Sequence, residues 1–205
     1  MQALPHFRYL LDGLPASGER KPLLLFLHGK GERGEDPERI RAHGPPQLYP
    51  AHGLDRFIVL SPQCPDEQIW RADQLAEFLD AFLARHPADL TRIYLTGLSL
   101  GGAGAWELLS LDPKRFAAAV LICGRVLEHT ALTRVARAKR PIWIVHSAAD
   151  AVVPVSCSDD LFDALRDEGA PVTYTRYQGR NHIESWQDFY GQGFVFDWLL
   201  RQRAG

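Results

Sequence analysis

The chain has no uninterrupted apolar run approaching the ~18 residues that a membrane-crossing helix requires, so no spanning segment and no membrane partner are expected. Its first residues, Met1-Gln-Ala-Leu-Pro-His-Phe-Arg-Tyr9, lack a basic region followed by an apolar stretch, which argues against a secretory leader. Cysteine is scarce. Cys64, Cys123 and Cys157 are odd in number, lie far apart and form no Cys-x-x-Cys pair, the pattern of free thiols in a reducing compartment, with the cytoplasm as the expected location. An excess of one charge is also lacking: 23 Lys and Arg face 25 Asp and Glu, and Arg33, Arg39, Arg41, Arg134, Arg137 and Arg140 are spread as a solvated surface would spread them. Nucleic acid is therefore not an expected partner. Internal repeats, low-complexity linkers, metal-ligand clusters and flavin motifs are absent, and Gly97-x-Ser99-x-Gly101-Gly102 lacks the Gly-Lys-Ser/Thr ending of a phosphate loop. Neither a metal nor a cofactor is expected.

What is present is an alternation of short apolar runs with amphipathic segments. A length of 205 residues suits one domain, residues 1–205, large enough to bury a sheet under helices. Lys21–Leu27 is a continuous apolar run, as expected of a strand buried on both faces, and 56–60, 92–96, 118–122 and 141–145 repeat it. Val172–Tyr177 alternates and suits a strand near an edge, and Phe7–Leu11 is a weaker candidate. Between the runs the period lengthens. Leu75, Phe78, Leu79, Phe82 and Leu83 fall on one helix face, and 103–111, 159–167 and 186–201 also read as helices. The fold class is α/β, with a mostly parallel twisted sheet covered by helices on both faces. In such sheets ligands bind beyond the C-terminal strand ends.

Gly97-Leu-Ser99-Leu-Gly101 follows one predicted strand and precedes a predicted helix. A sharp strand-to-helix turn exposes the serine hydroxyl, and the helix N-terminus adds positive potential where an oxyanion develops. The bland alternative is a glycine-rich connector, which the flanking elements disfavour. Ser99 is thus the candidate nucleophile. A serine so placed needs a base and a carboxylate, in the chain order serine, acid, histidine. Asp150 follows the run ending near His146, and His182 follows the strand ending near Tyr177. Asp150 could instead cap a turn, leaving Asp159 or Asp160 as the acid, although those two read as first-turn residues of a helix. His129 precedes every candidate acid, while His146 reads as packing at a strand end. Behind the first strong strand, His28-Gly29-Lys30 fits a loop donating a backbone N–H to an oxyanion, with Lys30 as one donor and Leu100 as the other. His28 reads as a loop-stabilising residue.

Leu27-His-Gly-Lys-Gly-Glu-Arg-Gly34, Leu60-Ser-Pro-Gln-Cys-Pro65, Tyr94–Gly102 and Asp150-Ala-Val-Val-Pro154 resemble the α/β-hydrolase superfamily, in its phospholipase/carboxylesterase-type group. The likeness is greatest to the esterase and "predicted peptidase" branch, related to polyhydroxybutyrate depolymerase and feruloyl esterase domains, and it runs from about Leu23 to Leu200. The resemblance implies an α/β-hydrolase fold and a serine hydrolase of carboxylic or thio esters, with a small-molecule ester as substrate. A peptidase or amidase, or an inactive binding domain using the same cleft, are the alternatives. Two positions depart from the pattern: Ser147 follows His146 where glycine is expected, and Lys30 stands where a small or apolar residue is expected, its amine either attracting an anionic substrate or, the favoured reading, directed at solvent.

Only 124–140 separates two of the strands, room for one short helix and no large cap, so an open site taking small to medium acyl groups is expected. Glu32–Gly53, the longest irregular stretch, is a candidate wall, and Trp70 and Trp186 are candidate aromatic contacts for substrate.

Overall fold

The computed structural model describes residues 4–16, 18–126 and 131–205, so His129 lies outside the described residues. Among the described residues, seven strands form one sheet: β1 (Arg8–Asp12), β2 (Lys21–Leu27), β3 (Ile58–Gln63), β4 (Ala88–Leu98), β5 (Ala118–Ile122), β6 (Ile142–Ser147) and β7 (Val172–Tyr177). Their spatial order is β1-β3-β2-β4-β5-β6-β7, with β1 antiparallel and every other pairing parallel. The helices are α1 (Pro45–Leu48), α2 (Ala72–Leu83), α3 (Leu100–Leu111), α4 (Leu132–Arg137), α5 (Ser156–Asp167), α6 (His182–Gly191) and α7 (Phe194–Leu200).

The apolar run of β2 explains the two layers. Leu23, Leu25 and Leu27 pack with Leu75, Phe78 and Phe82 of α2 and Trp106 of α3, whereas Leu24 and Phe26 pack with Phe189 and Tyr190 of α6 and Phe196 of α7. Alternation of side chains across the sheet thus demands apolar residues at every position, each worth roughly 1.5–3 kcal/mol when fully buried. β7 keeps its alternating, half-exposed pattern because it is an edge. The expected helix over 186–201 is broken: α6 starts earlier, at His182, and Gly193 turns left-handed (φ +74°) between α6 and α7. A Cβ at Gly193 would lie 2.9 Å from His52 Nδ1, so the turn also needs the missing side chain. α3 likewise begins three residues before the expected start, directly at the residue after Ser99.

Among the described residues, α4 is the one helix between β5 and β6, so no cap domain stands over the C-terminal strand ends. The stretch 32–53 holds a two-turn helical segment at Pro37–Ala42 and α1, following a single turn at Lys30–Glu32, rather than an unstructured loop. Ser99, Asp150 and His182 follow β4, β6 and β7, all beyond the C-terminal ends of these parallel strands. No helix among the described residues is long and apolar enough to cross a membrane.

Candidate active site

Ser99 has φ +53° and ψ −116°, a conformation that L-residues avoid, between the end of β4 and the first turn of α3. The turn closes this tightly because its neighbours are glycines. A Cβ at Gly97 would meet Gly101 O at 2.1 Å, and one at Gly101 would meet Leu27 O at 1.9 Å. The Ser99 N–H donates to Ile122 O at 2.9 Å, which ties the turn to β5 and leaves the hydroxyl free to face His182.

His182 Nε2 lies 2.9 Å from Ser99 Oγ, and His182 Nδ1 lies 2.6 Å from Asp150 Oδ2. An Nδ1–H donating to the carboxylate leaves Nε2 as the acceptor for the serine proton. Local structure fixes both partners. His182 is the first residue of α6, whose start is held by a reciprocal cap: Asn181 Oδ1 accepts the Glu184 N–H, and Glu184 Oε2 accepts the Asn181 N–H. Two turns on, the Tyr190 hydroxyl bonds Thr96 Oγ of β4 at 2.6 Å, anchoring α6 to the strand that carries Ser99. Asp150 Oδ1 accepts the N–H groups of Val152 and Val153 at 2.8 and 2.9 Å. Burial alone would raise the Asp150 carboxyl, but bonds from His182, Val153 and Val152 outweigh it and hold the group below its usual range.

The other candidates have other occupations. Asp159 accepts from Tyr174 Oη and Arg176 Nε at 2.7 and 3.0 Å, against the edge strand and away from Ser99, and Asp160 is exposed. His28 is buried: its Nδ1–H donates to Gly29 O and its Nε2 accepts the Cys64 N–H. Desolvation lowers its pKa to about 4, so it is a neutral strut of the loop, as its place in the sequence implies. Lys30 is exposed at the start of the next turn, and a Cβ on Gly29 would sit 3.7 Å from Ser99 Cβ, which brings this loop against the serine. Arg33 Nε donates to Lys30 O, Arg39 Nη2 to Gly31 O and Gln63 Nε2 to Glu32 O, so side chains pin the loop. Leu100 is the first residue of α3, where an N–H has no acceptor within the helix.

A cavity of about 280 Å³ opens on Ser99 and His182, with Lys30, Glu32, His43, Val152, Ile183 and Trp186 in its walls. Trp186 follows His182 by one turn, and its ring stands edge to face with those of His182 and His43, at 5.0 and 5.6 Å. Trp70 is not part of this cavity. It is buried behind the loop, donating Nε1–H to His28 O at 3.1 Å, so as a wall of this cavity it is corrected. Sequence reasoning missed three contributors. Glu32 is a buried carboxylate in the cavity wall with Oε1 3.7 Å from His43 Nε2. His146, assigned to packing, donates to Asp150 as well. Cys123, directly after β5 and between the strands that lead to Ser99 and Asp150, is fully buried beside Asp150 and His182. Cys123, Asp150 and His182 offer ligand atoms within 4.8 Å of one another, the one such group among the described residues. Burial raises the Cys123 thiol strongly, which favours a neutral S–H over a metal-binding thiolate, and the other two atoms are engaged with each other.

The alpha/beta hydrolase fold family matches residues 22–157. The chain belongs to that family. Among solved structures, this α/β-hydrolase is 31% identical to a thermostable esterase at a TM-score of 0.82, over 95% of this chain and 58% of that one. It therefore spans little more than half of that protein's length. It shares its fold with esterase PE8, at 20% identity and a TM-score of 0.70 over 94% of this chain and 98% of that one. A phospholipase/carboxylesterase from Dyadobacter fermentans is similar at 18% identity and a TM-score of 0.64, over 95% and 99%. No curated protein matches the sequence. The serine that replaces glycine after His146 has a use here. Ser147 Oγ accepts the N–H groups of Ala149 and Arg180, both at 3.2 Å, joining the loop of this α/β-hydrolase that carries Asp150 to the one that carries His182.

Proposed function

We propose that this protein is a serine hydrolase that cleaves carboxylic or thio esters of small to medium acyl groups. The observation that carries the proposal is the unbroken relay from Ser99 Oγ through His182 to Asp150, at 2.9 and 2.6 Å, on a turn at a helix N-terminus. Membership of the α/β-hydrolase fold family and likeness to proteins named esterase and phospholipase/carboxylesterase support it. The intact relay disfavours an inactive binding domain.

In the proposed reaction Ser99 Oγ attacks the ester carbonyl as His182 Nε2 takes the hydroxyl proton, and Asp150 stabilises the imidazolium. The backbone N–H groups of Lys30 and Leu100 are assigned to the oxyanion. The carbon–oxygen (or carbon–sulfur) bond to the leaving group then breaks, and the proton passes from His182 to the departing atom. Water, activated by the same imidazole, releases the acid and restores Ser99. The pattern of three unpaired cysteines favours the cytoplasm as its compartment. The test is fluorophosphonate labelling of the wild-type chain and of Ser99→Ala, beside turnover of p-nitrophenyl esters and a peptide panel. Label and ester turnover lost together in the variant are expected, whereas a labelled variant would remove the proposal, and turnover confined to peptides would replace esterase with peptidase.

A further inference from the structure

We propose that the acyl half of the substrate lies in a groove along α3, while the alcohol half occupies the cavity beside His182. This rests on the serine-hydrolase proposal above and assigns the two ends of its substrate. His182 must hand its proton to the leaving oxygen, so the alcohol departs on the side walled by His182, Ile183 and Trp186. The acyl substituent then leaves the carbonyl in the other direction, past Leu100.

There a second cavity, of about 410 Å³, is bounded on one side by Leu100, Ala103, Gly104 and Glu107 and on the other by Ile69, Trp70 and, at its rim, the ion pair of Arg71 and Asp73. The four α3 residues recur at i, i+3, i+4 and i+7, one helix face that starts beside Ser99 and rises about 10 Å away from it. Its floor is apolar for a steric reason: Gly104 has no side chain, and the Trp70 Cβ sits 2.5 Å from where a Cβ would be. The outer wall is Ile69, which is 66% exposed, a large apolar side chain left in water beside a groove it could help close. The far end is polar and exposed at Glu107, which sets a limit to the chain length that gains by burial. The occupant is an unbranched acyl chain of medium length.

The experiment compares kcat/KM for p-nitrophenyl acetate, octanoate and palmitate. In the wild-type chain octanoate should exceed acetate by roughly tenfold or more, because the added methylenes are partly buried, and palmitate should gain nothing further. Ala103→Phe, which fills the groove, should bring the octanoate-to-acetate ratio near one, and Ile69→Ser, a surface change on the opposite wall, should lower it about threefold. Leu90→Ser, at the opposite end of β4 and 57% exposed, should keep the wild-type ratio. A wild-type preference for acetate, or an unchanged ratio in both groove variants, would overturn the groove while leaving the hydrolase assignment standing. Turnover retained by Ser99→Ala would instead overturn the assignment beneath it.

Discussion

His146 and Asp150 are joined by a bond to a carboxylate oxygen that is already taken: Asp150 Oδ2 lies 3.1 Å from His146 Nε2 and 2.6 Å from His182 Nδ1. The donor identity follows from the surroundings. His146 Nε2 is also 3.1 Å from Val153 O, so it carries the hydrogen, and Nδ1 accepts from the Ser158 hydroxyl at 2.7 Å. Desolvation lowers the His146 pKa and keeps the ring neutral in that tautomer. The oxygen of Asp150 that faces His182 is thereby held by a second donor as well. His146→Gln should lower kcat about tenfold and destabilise the fold by about 1–3 kcal/mol, the range for removing a buried hydrogen-bonding partner. Steady-state kinetics and denaturant unfolding measure the two effects, and Ser158→Ala should reproduce a smaller version of both.

Ser99 invites a comparison of two substitutions. Either Ser99→Ala or Ser99→Gly should reduce turnover on the order of a millionfold, as loss of the nucleophile does in a serine protease. They should differ in stability. Glycine relieves the φ of +53°, so Ser99→Gly should melt above Ser99→Ala by the equivalent of about 1 kcal/mol, a difference that calorimetry resolves.

Asp150→Asn should lower kcat roughly ten-thousandfold, since an amide in place of the acceptor oxygen favours the wrong imidazole tautomer. Asp159→Asn should leave kcat within about twofold, because Asp159 bonds Tyr174 and Arg176 rather than His182. A crippled Asp159→Asn beside an active Asp150→Asn would reverse the assignment of the acid.

Stability should fall with acid in a window set by His28. Its folded pKa is about 4 against an ordinary 6.5, so between those values the unfolded chain binds the extra proton. The neutral ring contributes fully above pH 6.5, and that contribution, about 3 kcal/mol at most, drains away as pH falls towards 4. Melting temperatures of the wild type should decline across this window. In His28→Gln the decline should be visibly shallower, on a baseline already lowered by the lost bond to Cys64.

Much of this arrangement was legible from local pattern. β2 announces itself because burial on both faces forces an unbroken apolar run, and Ser99 because only glycines permit the turn around it. Asp150 and His182 follow from chain order along a parallel sheet. What escaped depends on contacts distant in sequence. A tryptophan reads alike whether it walls the cavity beside His182, as Trp186 does, or wedges behind the loop against Gly104 at the margin of the second groove, as Trp70 does. The break between α6 and α7 was hidden inside a continuous apolar period, since nothing local tells that His52 occupies the space beside Gly193. Glu32 looked like one loop charge among several until 32–53 folded over it. His146 falls in the same class: its partner Ser158 comes from the next helix, twelve residues on in the chain.

The position of β7 at the margin of the sheet bears on how the protein ages under heat. β7 pairs with β6 alone, from Val172 opposite Ile142 to Tyr177 opposite Ser147, and His182 hangs five residues beyond it. Edge strands open locally at a lower free energy than the centre, so β7 and the loop leading to His182 should loosen, and misalign the ring, while α6 stays anchored to β4 and the inner strands still protect their amides from exchange. Thermal inactivation should accordingly precede global unfolding.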